Sequence, residues 1–190
     1  DSVISIDARQ ETDPRELGVS QASVDAIWDN IIKVYKCGVH PGISVSIRRR
    51  GKLIVSRAIG HARGNGPHDD GAEDQVLMRT DTPVCLYSTS KGITALLMHM
   101  LAEEGLINVM DPVAFYAPEF ARNGKDNITI HQILSHRGGI PGLPPQTPLE
   151  TLWDEDKTWE LLCDAQPIIT DGSKLAYHAI TGGFVLARVV

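Results

Sequence analysis

The chain has 190 residues, of which 42% are apolar and 22% charged, the proportions of a globular protein with room for one substantial core or a core with an inserted subdomain. Its formal net charge of −6 argues against nucleic acid or an anionic membrane surface as a partner. No apolar run reaches the roughly 18 residues that would span a bilayer. The three cysteines, Cys37, Cys85 and Cys163, form no C-x-x-C pair and fit no zinc spacing, which points to reduced thiols and slightly favours a cytoplasmic location.

Asp1-Ser2-Val3-Ile4-Ser5 has neither an initiator Met nor a signal segment, so a trimmed or processed chain is expected. Residues 1–19 are polar, broken by Asp13-Pro14, and read as a loosely attached arm. From Ser20 to Lys36 the apolar positions Val24, Ile27, Ile31, Val34 and Tyr35 recur at helical spacing, with Ser20 or Ser23 as cap and Gly38 beyond the end. Such an amphipathic helix needs a surface to lie on, and a sheet is expected. Ile43, Val45 and Ile47 alternate with Ser44, Ser46 and Arg48, the period of a half-buried strand. Arg49-Arg50-Gly51-Lys52 reads as a solvated turn, and Leu53 to Ile59 as the returning strand of an antiparallel hairpin that ends at Gly60.

Residues 61–80 carry Gly64-Asn65-Gly66-Pro67 and Asp69-Asp70-Gly71 and read as a surface loop without a phosphate-binding fingerprint. His61, His68, Asp69 and Asp70 have no regular element to fix a ligand spacing and read as solvated loop residues rather than metal ligands. Cys85, with apolar neighbours on both sides, reads as core. A helix follows from near Ser88 to about Glu104, with Gly105 as its stop. Asp111-Pro112 reads as a capped helix start with proline at the first position, and Thr129 as the cap of a short helix with Ile130, Ile133 and Leu134. His136 to Pro141 is a loop whose glycines need unusual backbone angles. Residues 142–172 alternate proline-rich loop with a helix over Lys157 to Asp164. The last helical pattern carries Phe184, Val185, Leu186, Val189 and Val190.

No strand is read after the hairpin, and two strands alone are marginal. The expectation is therefore the front part of an α+β protein. Residues 1–80 would form the arm, helix and first hairpin of a sheet domain, and residues 81–190 a helical subdomain truncated in its last helix.

The stretch Ser88-Thr89-Ser90-Lys91 carries the chemistry. Residues three apart share a helix face, so Lys91 can bring its amine beside the Ser88 hydroxyl. A serine becomes a useful nucleophile when a neighbouring base takes its proton. A lysine can serve if burial or a nearby positive charge keeps it neutral, and the apolar flanks of Lys91 favour desolvation. The first helical turn also offers backbone N–H groups to an oxyanion. By itself S-x-x-K is expected about once by chance in a chain this long, and a helix cap beside a solvated lysine explains it equally well.

Further residues narrow the choice. Ser88-Thr89-Ser90-Lys91 resembles the first motif of the serine β-lactamase and penicillin-binding-protein superfamily. Gly42-Ile43-Ser44-Val45-Ser46 with Gly51-Lys52 resembles its opening hairpin. Glu104-Gly105-Leu106-Ile107 and Met110-Asp111-Pro112-Val113 resemble the stretch after its nucleophile helix. Ile133-Leu134-Ser135-His136 through Gly139-Ile140-Pro141 resembles the LLxHxSGLP loop of class C-like members. Tyr177-His178-Ala179 stands where the family carries Y-x-N or Y-S-x, and with Thr181-Gly182-Gly183 it is similar to the β-lactamase-like esterases and lipases. The resemblance implies an α+β fold, an antiparallel sheet flanked by helices with an all-helical subdomain, of which this chain is the N-terminal portion. It implies Ser88 as nucleophile, Lys91 and Tyr177 as proton acceptors and relays, and the Ser88 backbone N–H as half of an oxyanion hole. No metal or organic cofactor is implied. The implied partners are a small-molecule ester or amide, with β-lactams and D-alanyl-D-alanine peptides as alternatives, and a C-terminal portion that completes the sheet and carries the third motif. A ligand-binding scaffold without catalysis is the reading from another class. His178 reads as a packed or hydrogen-bonded residue or a substitute base, His136 as a structural hydrogen-bonder, and Thr181 as without chemistry.

Overall fold

The computed structural model describes residues 3–66, 69 and 75–190; His68 and Asp70, considered above as loop residues, lie outside them. The chain divides into two units, residues 1–85 and 86–190.

In the first unit, β2 (Gly42–Arg49) and β3 (Lys52–Arg63) form the expected hairpin, paired from Gly42 opposite Gly60 to Arg49 opposite Lys52 with a register shift between Ile47 and Arg48. The turn consists of Arg50 and Gly51, both at positive φ, the pairing of angles that matches the twist of a two-residue hairpin. Ile43, Val45 and Ile47 are half-buried while Ser44, Ser46 and Arg48 are exposed. The arginines do more than solvate the turn: the Arg49 guanidinium donates to the Leu17 carbonyl at 2.9 Å.

Two sequence expectations fail here. The strand does not stop at Gly60. It passes through that residue at φ +95°, where a Cβ would collide with the Pro41 carbonyl oxygen and the Tyr35 ring, and runs on to Arg63. The glycine permits close packing instead of ending the strand. His61 therefore lies within β3, and its Nδ1 is buried without a hydrogen-bond partner among the described residues. Nor is the N-terminal segment a loose arm. Ile4–Ile6 forms β1, antiparallel to β3, and Val76–Leu77 forms β4 on the same strand. A 3₁₀ turn at Pro14–Leu17 buries Leu17. The Glu11 carboxylate accepts from the Ser56 N–H and from two nitrogens of Arg57, at 2.8–2.9 Å. The β1 and Glu11 contacts join residues about 45 to 55 positions apart, and no local periodicity announces them.

Helix α1 (Gln21–Lys36) is capped by Ser20, whose hydroxyl accepts from the Ser23 N–H at 3.1 Å. It buries Val24 and Trp28, Val24 meeting Leu17, Ile54 and Val55, whereas Ile27 and Val34 stay exposed.

The second unit is helical: α2 (Ser90–Glu103), α3 (Val113–Tyr116), α4 (Ile130–Leu134), α5 (Glu155–Asp164) and α6 (Thr181–Val189). Met98, Val113, Phe120, Ile128, Ile133, Leu162 and Val185 are among its buried core residues. Gly105, at φ +74°, follows the end of α2 as expected. Thr129 and Gln132 make a reciprocal capping box at α4. Asp111 does not cap α3. Pro112 holds non-helical angles, the helix starts at Val113, and the Asp111 carboxylate accepts from the Tyr116 hydroxyl at 2.8 Å. Helix α5 begins at Glu155, two residues before the expected Lys157, because Asp154 caps it. Cys85 is exposed rather than core, and Cys163 is the buried thiol, pushed up to about 11 by desolvation.

Lys125 is fully buried, although nothing in its sequence surroundings marks it. Its ammonium donates to the carbonyls of Arg122, Cys163 and Ala165, each at 2.7 Å, and so closes the C-terminal end of α5.

Candidate active site

Leu86–Val190 contains all three residues expected to carry chemistry, and the structure brings them together. The helix does not start as a regular α-helix at Ser88. A single 3₁₀ turn over Tyr87–Thr89 precedes α2, and Tyr87 sits at φ +45°. A bulky non-glycine residue in the left-handed region carries local strain, of the kind concentrated at functional sites. Here it stands directly before Ser88.

The Tyr177 hydroxyl donates to Ser88 Oγ at 2.6 Å, across 89 residues of sequence. The Lys91 amine donates to the same oxygen at 3.4 Å and lies 5.2 Å from the centre of the Tyr177 ring. The hydrogen bond with Ser88, followed by that with Lys91 and its charge, holds the Tyr177 phenol below the ordinary tyrosine range. The oxygen-to-oxygen distance therefore suits proton transfer between Ser88 and Tyr177, and the lowered phenol makes the phenolate, the form able to accept a proton, easier to reach than in free tyrosine.

The desolvation expected from the apolar flanks of Lys91 is found only in part. Only the stripe containing Lys91, Thr94, Ala95 and Met98 turns toward α4 and α6, so Met98 is fully buried while Ile93, Leu96 and Leu97 are exposed. Lys91 is half-buried. Behind it lies a small cavity of about 60 Å³, lined by Thr94, Ile133, His136, His178 and Leu186 among others.

The Tyr177 segment is held from below by the His136–Pro141 loop. The Ala176 N–H donates to the His136 carbonyl at 2.9 Å, and the His178 N–H donates to His136 Nδ1 at 3.1 Å. The Ile140 N–H donates to His178 Nε2 at 3.1 Å, and the Thr181 hydroxyl donates to the Ile140 carbonyl at 2.6 Å. His178 is fully buried, so it packs and hydrogen-bonds and stands outside the cluster of Ser88, Lys91 and Tyr177. His136 is at φ +60° and Gly139 at φ +74°, so the unusual angles fall on the histidine as well as on a glycine. At Gly139 a Cβ would collide with the Ile169 carbonyl oxygen. The glycines of this loop signalled its backbone; nothing in the sequence tied the His136 ring to Tyr177.

No group of three or more His, Cys, Asp or Glu side chains is placed to hold a metal among the described residues. No helix among them is long and apolar enough to cross a membrane.

An antiparallel sheet and a helical unit that holds a serine hydroxyl between an amine and a phenol are the arrangement that the β-lactamase-like resemblance implies. The Beta-lactamase family model matches residues 28–190, and the chain belongs to that family. The esterase/beta-lactamase LipL of Mycobacterium tuberculosis H37Rv is 40% identical over 113 residues, which cover 58% of this chain and 26% of LipL. A family VIII carboxylesterase superposes with a TM-score of 0.74 at 34% identity, over 86% of this chain and 42% of that one. A penicillin-binding protein homologue from Caulobacter crescentus gives 0.70 at 29% identity, over 84% and 42%. The chain thus spans about a quarter of LipL and about two fifths of these solved relatives.

Proposed function

We propose that Ser88 is the nucleophile of a carboxylesterase that works through an acyl-enzyme, with Tyr177 and Lys91 handling its proton. The observation that carries the reading is Ser88 Oγ held by Tyr177 at 2.6 Å and Lys91 at 3.4 Å. With Tyr177 ionised, a state its neighbours make easier to reach than in free tyrosine, the phenolate takes the Ser88 proton as Oγ attacks the ester carbonyl. The Ser88 N–H, in the first turn, faces the developing oxyanion. The tetrahedral intermediate collapses, the acyl–alkoxy bond breaks, and the phenol returns its proton to the departing alcohol with Lys91 as the charge partner. Water then enters along the same path in reverse, giving up its proton to Tyr177 and releasing the acid from Ser88.

Two things favour an ester. Tyr177-His178-Ala179 departs from the Y-x-N form, and the 40%-identical LipL and the 34%-identical structural relative are named as esterases. LipL is also named as a beta-lactamase, so β-lactam acylation is the second reading. Both are tested by offering p-nitrophenyl butyrate and a chromogenic cephalosporin to the intact protein, with Ser88→Ala as control. Ester turnover that Ser88→Ala lowers by at least about 10³-fold is expected. Equal rates in wild type and variant would remove the nucleophile assignment, and cephalosporin turnover without ester cleavage would replace the substrate class.

A further inference from the structure

Tyr177 is 49% exposed, yet its phenol oxygen must stay within a few tenths of an ångström of one place to exchange a proton with Ser88. Packing alone does not hold a half-exposed ring. Its ring lies against the His136 ring, with centroids 4.7 Å apart, and the residues on either side of it are bonded to His136: Ala176 through the His136 carbonyl, His178 through Nδ1.

The proton inventory of these two histidines is fixed by their partners. His178 Nδ1 lies 2.6 Å from the Ala176 carbonyl, which can only accept, so Nδ1 carries the proton. Nε2 receives the Ile140 N–H, which can only donate, so Nε2 is bare. His136 Nδ1 receives the His178 N–H and is bare as well. The His178 imidazole cannot charge without setting its Nε2–H against the Ile140 N–H. The groups facing them agree: His136, Tyr177 and, across the small cavity, Lys91, with no carboxylate lining that cavity. Desolvation pushes His178 below the ordinary histidine range, with its neighbour His136 acting the same way and the Ala176 carbonyl opposing.

We propose that His136 and a neutral, Nδ1-protonated His178 are positioning residues that staple the 136–141 loop to the 176–181 segment and so aim the Tyr177 phenol at Ser88. The inference rests on the hydrolase reading above, since aiming matters only if Tyr177 exchanges the Ser88 proton.

The test is a double-mutant cycle on the intact protein with p-nitrophenyl butyrate. His136→Leu removes the acceptor and is expected to lower kcat about 100-fold with KM within about threefold, the scale of a misplacement of roughly 1 Å. His136→Asn sets an oxygen where Nδ1 stood and is expected to recover at least tenfold of that loss. In a Tyr177→Phe background the His136→Leu loss should shrink below threefold, because the group it aims is gone. An equal loss in both backgrounds, or a loss below threefold in the wild-type background, overturns the proposal. Should His136→Leu fail to fold, the ¹⁵N imidazole spectrum of the unmutated protein decides: His178 protonated at Nδ1 and bare at Nε2 is expected near pH 7, and the opposite or a mixed tautomer overturns the staple. If Ser88→Ala keeps the wild-type rate, the hydrolase reading fails on its own, and the spectrum still judges the tautomer.

Discussion

Replacing Tyr177 by phenylalanine keeps the ring against His136 and removes only the oxygen 2.6 Å from Ser88 Oγ. Lys91 does not cover the loss at its present place. Its amine stands 3.4 Å from Oγ, outside the 2.6–3.2 Å over which a proton passes directly. General-base contributions run from about 10² to 10⁴, and with no second base in reach the upper half of that range, about 10³-fold or more, is expected. Fold stability should barely change, because the deleted group sits on a half-exposed side chain whose ring contacts persist. The assay is the stopped-flow burst of p-nitrophenolate, which isolates acylation, alongside a thermal melt. In wild type the acylation rate rises with pH as the phenol ionises, with a midpoint below the ordinary tyrosine value of about 10. In Tyr177→Phe that limb disappears. A drop of less than tenfold, or an unchanged limb in the variant, would show that another group takes the proton.

Three further outcomes concern the scaffold. Glu11→Gln should cost about 2–4 kcal/mol in a denaturant melt, since the carboxylate and Arg57 side chains are 14% and 11% exposed and the bond pins the N-terminal segment to β3. Desolvation raises the Glu11 pKa but the bonds to Arg57 and Ser56 outweigh it, so the folded value lies below the unfolded one. The stability is then fully present above about pH 4.3 and lost as pH falls below it, and the variant should lack that loss. Lys125→Met keeps the buried stem but leaves three carbonyls without their donor; at about 1 kcal/mol each, partly offset by the desolvation no longer suffered by the ammonium, a loss of about 2–3 kcal/mol is expected in urea. Gly139→Ala places a Cβ onto the Ile169 carbonyl at a positive φ, so a fall in melting temperature and in kcat together is expected, whereas Gly142→Ala, with open space at its Cβ, should leave both unchanged.

Much of this was written locally in the chain. The alternation at Ile43, Val45 and Ile47, the caps at Ser20 and Thr129 and the glycine after α2 each rest on interactions within a few residues, which is the range over which periodicity and turn chemistry act. The spacing of Ser88 and Lys91 belongs to the same class, because one helical turn fixes it. Tertiary structure decided what depends on partners far along the chain. In the first nineteen residues Ile4–Ile6 became a strand and Glu11 a bound carboxylate because β3 had an edge left to pair and Arg57 a charge to neutralise. Gly60, a stop signal by composition, became a point of close approach to Tyr35 and Pro41. Lys91 lies on the one stripe of α2 that meets α4 and α6 yet is only half-buried, because apolar residues near it in sequence, such as Ile93 and Leu96, lie off that stripe and are exposed. Tyr177 reaches Ser88, and His136 holds Tyr177, over separations of 89 and about 40 residues, where a hydrogen bond leaves no trace in local pattern and exists only once the core beneath it has closed.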